Sequence, residues 1–237
     1  PGTWEENWDR LMASYYYTPG PGESIVITGF DGQTIPFGEP QEELDGGRFD
    51  AGRLCRMLIT ANHGEEELLA LCGRIEQGEK LGDLLQPEGS FYTILADEKG
   101  DEVGDAWLEA DFSLGWYGSF TSDSKDILRE SYRRDFLLTE ELKSAISETG
   151  LDPDRTTLTF CIISEFASGA LLADGEREFF VPTTESMESL GILECWRLYP
   201  VPDLFRLIRE KIEDIYPRTR EGAKGFSLER AAIPSGT

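Results

Sequence analysis

The stretch SFYTILADEKGDEVGDAWLEADF, residues 90–112, decides the fold class of this chain. An apolar run ends at Ala96, a polar segment containing Lys99-Gly100 follows, and polar and apolar residues then alternate up to Phe112. Alternation with a period of two is typical of a β-strand, and a short glycine-containing segment between two strands predicts a hairpin. One face of the second strand is predicted to meet a core, and it carries Ala106, Leu108, Ala110 and Phe112.

The opposite face of that strand carries three carboxylates around one tryptophan, namely Asp105, Trp107, Glu109 and Asp111. Two interpretations are open. Either the face is solvated and another element covers Trp107, or the face is exposed and docks a basic protein surface, because an indole attracts Arg and Lys cations. A calcium loop of the EF-hand type is excluded, since registers that start at Asp97 or Asp101 lack both the required glycine and the final carboxylate.

Hairpins and helical patterns occur in blocks along the rest of the chain. Two further hairpins are predicted, with turns at Asp31-Gly32 and Asp174-Gly175. Apolar residues at helical spacing predict about six helices, in the segments 4–15, 49–62, 64–78, 124–137, 139–150 and 202–216, together with a short helical segment at 80–85. Buried strands are predicted at 156–166 and 192–199.

This block pattern predicts an α+β fold with a mainly antiparallel sheet built from the three hairpins and packed with the helices. A single domain is expected over residues 1–216, with a divide into two subdomains near residue 113 as the alternative. Residues 217–237 have little periodicity and are expected to form a flexible tail.

The charge of the chain is −24, and it is unevenly distributed. Residues 1–112 contain 24 acidic and 7 basic side chains, whereas residues 113–237 contain 22 and 15. A field of this sign repels phosphates, so direct binding to nucleic acid or to an anionic membrane is disfavoured and a basic protein partner is favoured. No stretch has the length of apolar sequence that a membrane span needs.

Four cysteines lie in apolar contexts without a C-x-x-C pair, namely Cys55, Cys72, Cys161 and Cys195. They are expected to be buried free thiols in a reducing, cytoplasmic compartment. His63 is the only histidine, and neither a nucleophile elbow nor a phosphate-binding glycine loop occurs, so no cofactor and no metal site is predicted.

The absence of these motifs does not exclude catalysis that uses carboxylates alone. The candidate residues for it are Glu165 and Asp111, at the ends of predicted strands. The favoured expectation is nevertheless a non-enzymatic, soluble protein that binds a basic partner protein and inhibits or regulates it. In charge and size it is similar in character to immunity proteins, antitoxins, inhibitors and nucleic-acid mimics, although none of their motifs occurs. The alternatives are a carboxylate-based hydrolase or metal-dependent enzyme, and an accessory subunit of a larger assembly.

Overall fold

A sheet of eight strands forms the centre of the molecule. The computed structural model describes residues 2–60, 64–119, 139–163, 167–183, 191 and 193–216. Its strands are β1 (Ile27–Thr28), β2 (Thr34–Ile35), β3 (Cys55–Thr60), β4 (Leu85–Ala96), β5 (Glu102–Leu108), β6 (Leu114–Ser119), β7 (Thr157–Ile163), β8 (Ala167–Ala173), β9 (Glu178–Pro182) and β10 (Tyr199–Pro200). Its α-helices are α1 (Trp4–Ser14), α2 (Glu65–Glu76), α3 (Leu81–Leu84), α4 (Glu140–Glu148), α5 (Val201–Glu210) and α6 (Ile212–Ile215).

The main sheet has the spatial order β10-β9-β8-β7-β3-β4-β5-β6. Its neighbouring strands are antiparallel, except that β3 and β7 run parallel through the pairs Leu58↔Cys161 and Ile59↔Ile162. The predicted α+β class with a mainly antiparallel sheet is therefore confirmed.

Three hairpins do not account for this sheet. β4 pairs with β5, and β8 pairs with β9, but β1 and β2 form a separate two-stranded ribbon. The main sheet also contains β3, β6, β7 and β10, so its strand pairs outnumber the predicted hairpins. β5 and β6 pair across residue 113, where the alternative subdomain divide was predicted.

Helices cover both faces of the β7–β9 half of the sheet. Alternate residues of β7 point to opposite sides, so Leu158 packs against α1 and α4, whereas Cys161 packs against α2 and α5. Helix α1 begins with a capping box in which Thr3 accepts a hydrogen bond from the N–H of Glu6, and the Glu6 side chain accepts one from the N–H of Thr3.

The β4–β6 half is covered on one face by the chain that precedes β3. Ile27, Leu44 and Phe49 pack there against Phe91 of β4 and Leu108 of β5. The other face of β4–β6 carries Tyr92, Asp105, Trp107 and Trp116.

Two element predictions are wrong. Residues 49–62 were predicted as a helix, but β3 occupies Cys55–Thr60 as an inner strand with neighbours on both sides. A strand was predicted over residues 192–199, whereas strand pairing within the described residues 193–200 is limited to Tyr199 and Pro200 of β10. Four features singled out in the sequence lie outside the described residues, namely His63, Glu165, the predicted helix 124–137 and the predicted tail 217–237.

Candidate functional site

Two tryptophans stand side by side on the outer part of the sheet. Trp107 of β5 is directly opposite Trp116 of β6, and Asp105 is opposite Gly118. The side chains of Trp107 and Trp116 are exposed, with 41% and 48% of their surface accessible. We call Asp105, Trp107, Trp116 and Gly118 the tryptophan face.

Asp105 is buried within this face, although the sequence predicted a solvated carboxylate. Only 8% of its surface is accessible, and Tyr92 Oη donates a hydrogen bond to Asp105 Oδ2 over 3.3 Å. Burial raises the pKa of Asp105 to about 6, which the hydrogen bond from Tyr92 partly opposes.

Gly118 explains part of this burial. A Cβ at Gly118 would lie 2.6 Å from Cη2 of Trp116 and 3.4 Å from Oδ1 of Asp105. The indole of Trp116 therefore lies across the glycine and beside the carboxyl group, and a larger residue at position 118 would push the ring away.

Glu109 and Asp111 do not share the face with Trp107, because β5 ends at Leu108. The chain then turns: the N–H of Phe112 donates to Glu109 O, and the N–H of Glu109 donates to Ser113 O. Ala110, which was predicted to face the core, is exposed in this turn. Phe112 does reach the core, where its ring stacks on Phe91 with centroids 4.6 Å apart.

Asp111 is an exposed turn residue. Its carboxylate accepts hydrogen bonds from the N–H and the hydroxyl of Ser113, and these bonds lower its pKa. A general acid that works near neutral pH needs the opposite shift, so this geometry does not favour the catalytic role predicted for Asp111.

The tryptophan face borders an open edge of the sheet. Among the described residues, β6 pairs with β5 on one side, and strand pairing on its other side is limited to one bridge between Thr28 of β1 and Ser113, the residue directly before β6. Carboxylates flank both ends of that edge: Asp45 accepts a hydrogen bond from the hydroxyl of Ser119, and Glu109 Oε1 would lie 2.6 Å from a Cβ at Gly115. Sequence reasoning missed β6, because the segment LGWYGS has two glycines and no run of β-branched residues.

Three of the four cysteines are buried, as predicted, but Cys195 is not. All four are free, and Cys55, Cys72 and Cys161 are buried, whereas Cys195 is partly accessible. Burial raises the pKa of Cys55, Cys72 and Cys161, which keeps these thiols in the unreactive protonated form.

Searches against family models, curated proteins and solved structures found no match to this chain. Within the described ranges, no group of three or more His, Cys, Asp or Glu side chains is arranged to hold a metal ion. None of the described helices combines the length and the apolar character required to cross a bilayer.

Proposed function

We propose that this protein binds a basic partner protein through the tryptophan face and thereby inhibits or regulates that partner. The observation that carries the proposal is the pair of neighbouring, exposed indoles, Trp107 and Trp116, on a strongly acidic molecule. Exposed tryptophans are uncommon on a protein surface, and they are enriched among the residues that dominate binding energy.

The chemistry of the face favours a cationic ligand. The π-face of an indole attracts Arg and Lys side chains, by about 0.5–2 kcal/mol for each contact. The Asp105 carboxyl group lies near the Trp116 ring, and Glu109 and Asp45 add carboxylates beside β6, the strand that carries Trp116. A guanidinium group stacked on Trp116 would lie near the Asp105 carboxyl group, because that group and the ring both lie close to Gly118.

The whole molecule supports the same partner. A net charge of −24 speeds the encounter with a positive protein and repels nucleic acid, whereas the aromatic contact sets how long the complex lasts. The four free thiols support a reducing compartment such as the cytoplasm. A single domain over residues 1–216 is part of this proposal.

The test begins with affinity capture from host lysate at low and high salt, followed by calorimetry with the captured protein. We expect a stoichiometric basic protein whose affinity falls at least tenfold in the double variant Trp107→Ala/Trp116→Ala and falls again as salt is added. Trp4→Ala is the matched control, since it removes an indole from α1. If the captured protein bound the double variant as tightly as the wild type, the tryptophan face would not be its binding site.

A carboxylate-based hydrolase is the second candidate function, and Asp105 is the residue that favours it. A buried carboxyl group beside an indole, with its pKa raised to about 6, has the protonation behaviour of a general acid. A thermal-shift screen with divalent cations and small glycans would support this candidate if stabilisation by one ligand disappeared in Asp105→Asn.

A further inference from the structure

The geometry points to a specific binding mode: an extended, basic segment of the partner adds to β6 as a ninth strand of the sheet. This inference rests on the proposed function and specifies how the partner is held. Its basis is the open edge of β6, which lies directly beside the tryptophan face.

The composition of β6 leaves its edge available for pairing. Proteins protect exposed edges with lysines, prolines, inward-pointing charges or bulges. The β6 segment LGWYGS contains no lysine, proline or charged residue, and its register shift lies near its start, at Gly115, so Trp116–Ser119 pair regularly with β5. An added strand would form hydrogen bonds with the backbone N–H and C=O groups of β6 that point away from β5. At about 3.3 Å per residue, six residues offer an edge of roughly 20 Å.

The two faces of β6 predict the pattern of the added strand. Trp116 points to the tryptophan face, whereas the adjacent Tyr117 points to the opposite face, where its ring lies 6.2 Å from that of Phe30. Phe30 is 63% exposed, so that side offers apolar surface. An added strand with alternating basic and apolar residues would place its cations over Trp116 and its apolar side chains beside Tyr117 and Phe30.

Charge selects this occupant over a second copy of the chain. If β6 paired with β6 of a second copy, the carboxylates of Asp45 and Glu109 in one molecule would approach the same carboxylates in the other. These groups would repel one another, as would the two molecules, each with a net charge of −24. A basic strand instead meets a carboxylate at each end of the edge.

The probe is an eight-residue peptide of alternating arginine and valine, with a glutamate–valine peptide as the charge control. Two N-methylated versions carry methyl groups on all valine or on all arginine amides, because these two sets of N–H groups lie on opposite edges of a strand. Affinity is measured by calorimetry, and amide hydrogen exchange is followed for residues 114–119.

We expect the arginine peptide to bind and the glutamate peptide not to bind. One of the two N-methylated versions should lose at least tenfold in affinity. The β6 amides that point away from β5 should exchange at least tenfold more slowly in the complex, whereas those bonded to β5 should change little. Trp116→Ala should weaken binding, whereas Trp4→Ala should not.

Three results would overturn strand addition. The first is equal binding of both N-methylated peptides with unchanged exchange in β6; if Trp116→Ala still weakened binding, the proposed function would stand as surface docking. The second is slow exchange, in the free protein, of those β6 amides that point away from β5, which would show that a second copy or another part of this chain already pairs with that edge. The third is a lack of binding by the arginine peptide. The proposed function would then be decided by the calorimetry of the captured protein with the double tryptophan variant.

Discussion

Two buried aspartates show how local donors decide the state of a carboxyl group. Asp105 and Asp174 are 8% and 4% accessible, and burial alone would raise the pKa of both. Asp105 accepts a hydrogen bond from Tyr92 Oη, and its pKa rises to about 6. Asp174, at the β8–β9 turn, accepts hydrogen bonds from three backbone N–H groups and from Arg177, which together outweigh burial and lower its pKa.

Asp105→Asn is predicted to stabilise the protein at pH 7 and to have little effect at pH 4. The folded-state pKa of about 6 exceeds the ordinary value of 3.8, so the folded state binds the proton more tightly than the unfolded state. The stability from this proton is present below about 3.8 and is lost as pH rises through about 6. Urea unfolding at several pH values measures the effect, and equal stability of the two proteins at pH 7 would contradict it.

Asp174→Asn is predicted to show the opposite dependence. Because the folded-state pKa is lowered, the carboxylate contributes stability above the ordinary value of 3.8, and this contribution is lost as pH falls through the folded-state pKa. Replacing the carboxylate with an amide weakens several charge-assisted hydrogen bonds. We therefore expect the free energy of unfolding to fall by about 2 kcal/mol at pH 7, and by less at acidic pH. The same urea series tests both variants, and a loss independent of pH would contradict this prediction.

At the scale of elements, the sequence predicted the antiparallel class and missed two strands for different reasons. β3 is an inner strand that contains the continuous apolar run Met57–Ile59, and such a short run cannot be distinguished from a helical segment by periodicity. β6 carries two glycines and lies at the edge, so its strand conformation depends on pairing with β5 rather than on its own residues. The alternation that predicted the Trp107 face was correct up to Leu108, where the turn ends it.

Gly169→Ala is predicted to destabilise the protein by about 2–3 kcal/mol, because it overfills the contact between β8 and β9. A Cβ at Gly169 would lie 2.2 Å from Val181 O and 2.8 Å from Cζ of Phe180, so the two strands would have to separate. Gly20→Ala is the control, since the nearest atom to its Cβ would be Glu23 Oε2 at 3.5 Å. Thermal unfolding compares the two variants, and a Gly169→Ala protein as stable as the control would contradict the expected crowding.

At the scale of the whole molecule, the sequence makes the net charge predictable but not the arrangement of the tryptophan face. The count of 46 acidic against 22 basic side chains is available from composition alone. The neighbouring positions of Trp107 and Trp116 depend on the register of β5 and β6, and so does the placement of the Trp116 ring and the Asp105 carboxyl group close to Gly118. No local pattern specifies either arrangement, because both are set by pairing between strands.

The excess of negative charge also predicts how salt affects the fold. Like charges on a compact molecule repel one another, and raising the ionic strength from 0.01 to 1 M shortens the screening length from about 30 to 3 Å. We therefore expect the melting temperature at pH 7 to rise by several degrees as sodium chloride is added, on the order of 1–2 kcal/mol of stability. Choline chloride should act equally if screening rather than cation binding is responsible. Near pH 4, where many carboxylates are protonated, the repulsion weakens and the salt effect should shrink. A melting temperature that is insensitive to salt at pH 7 would show that the carboxylates are already compensated locally, and it would remove the long-range field as a reason for a basic partner.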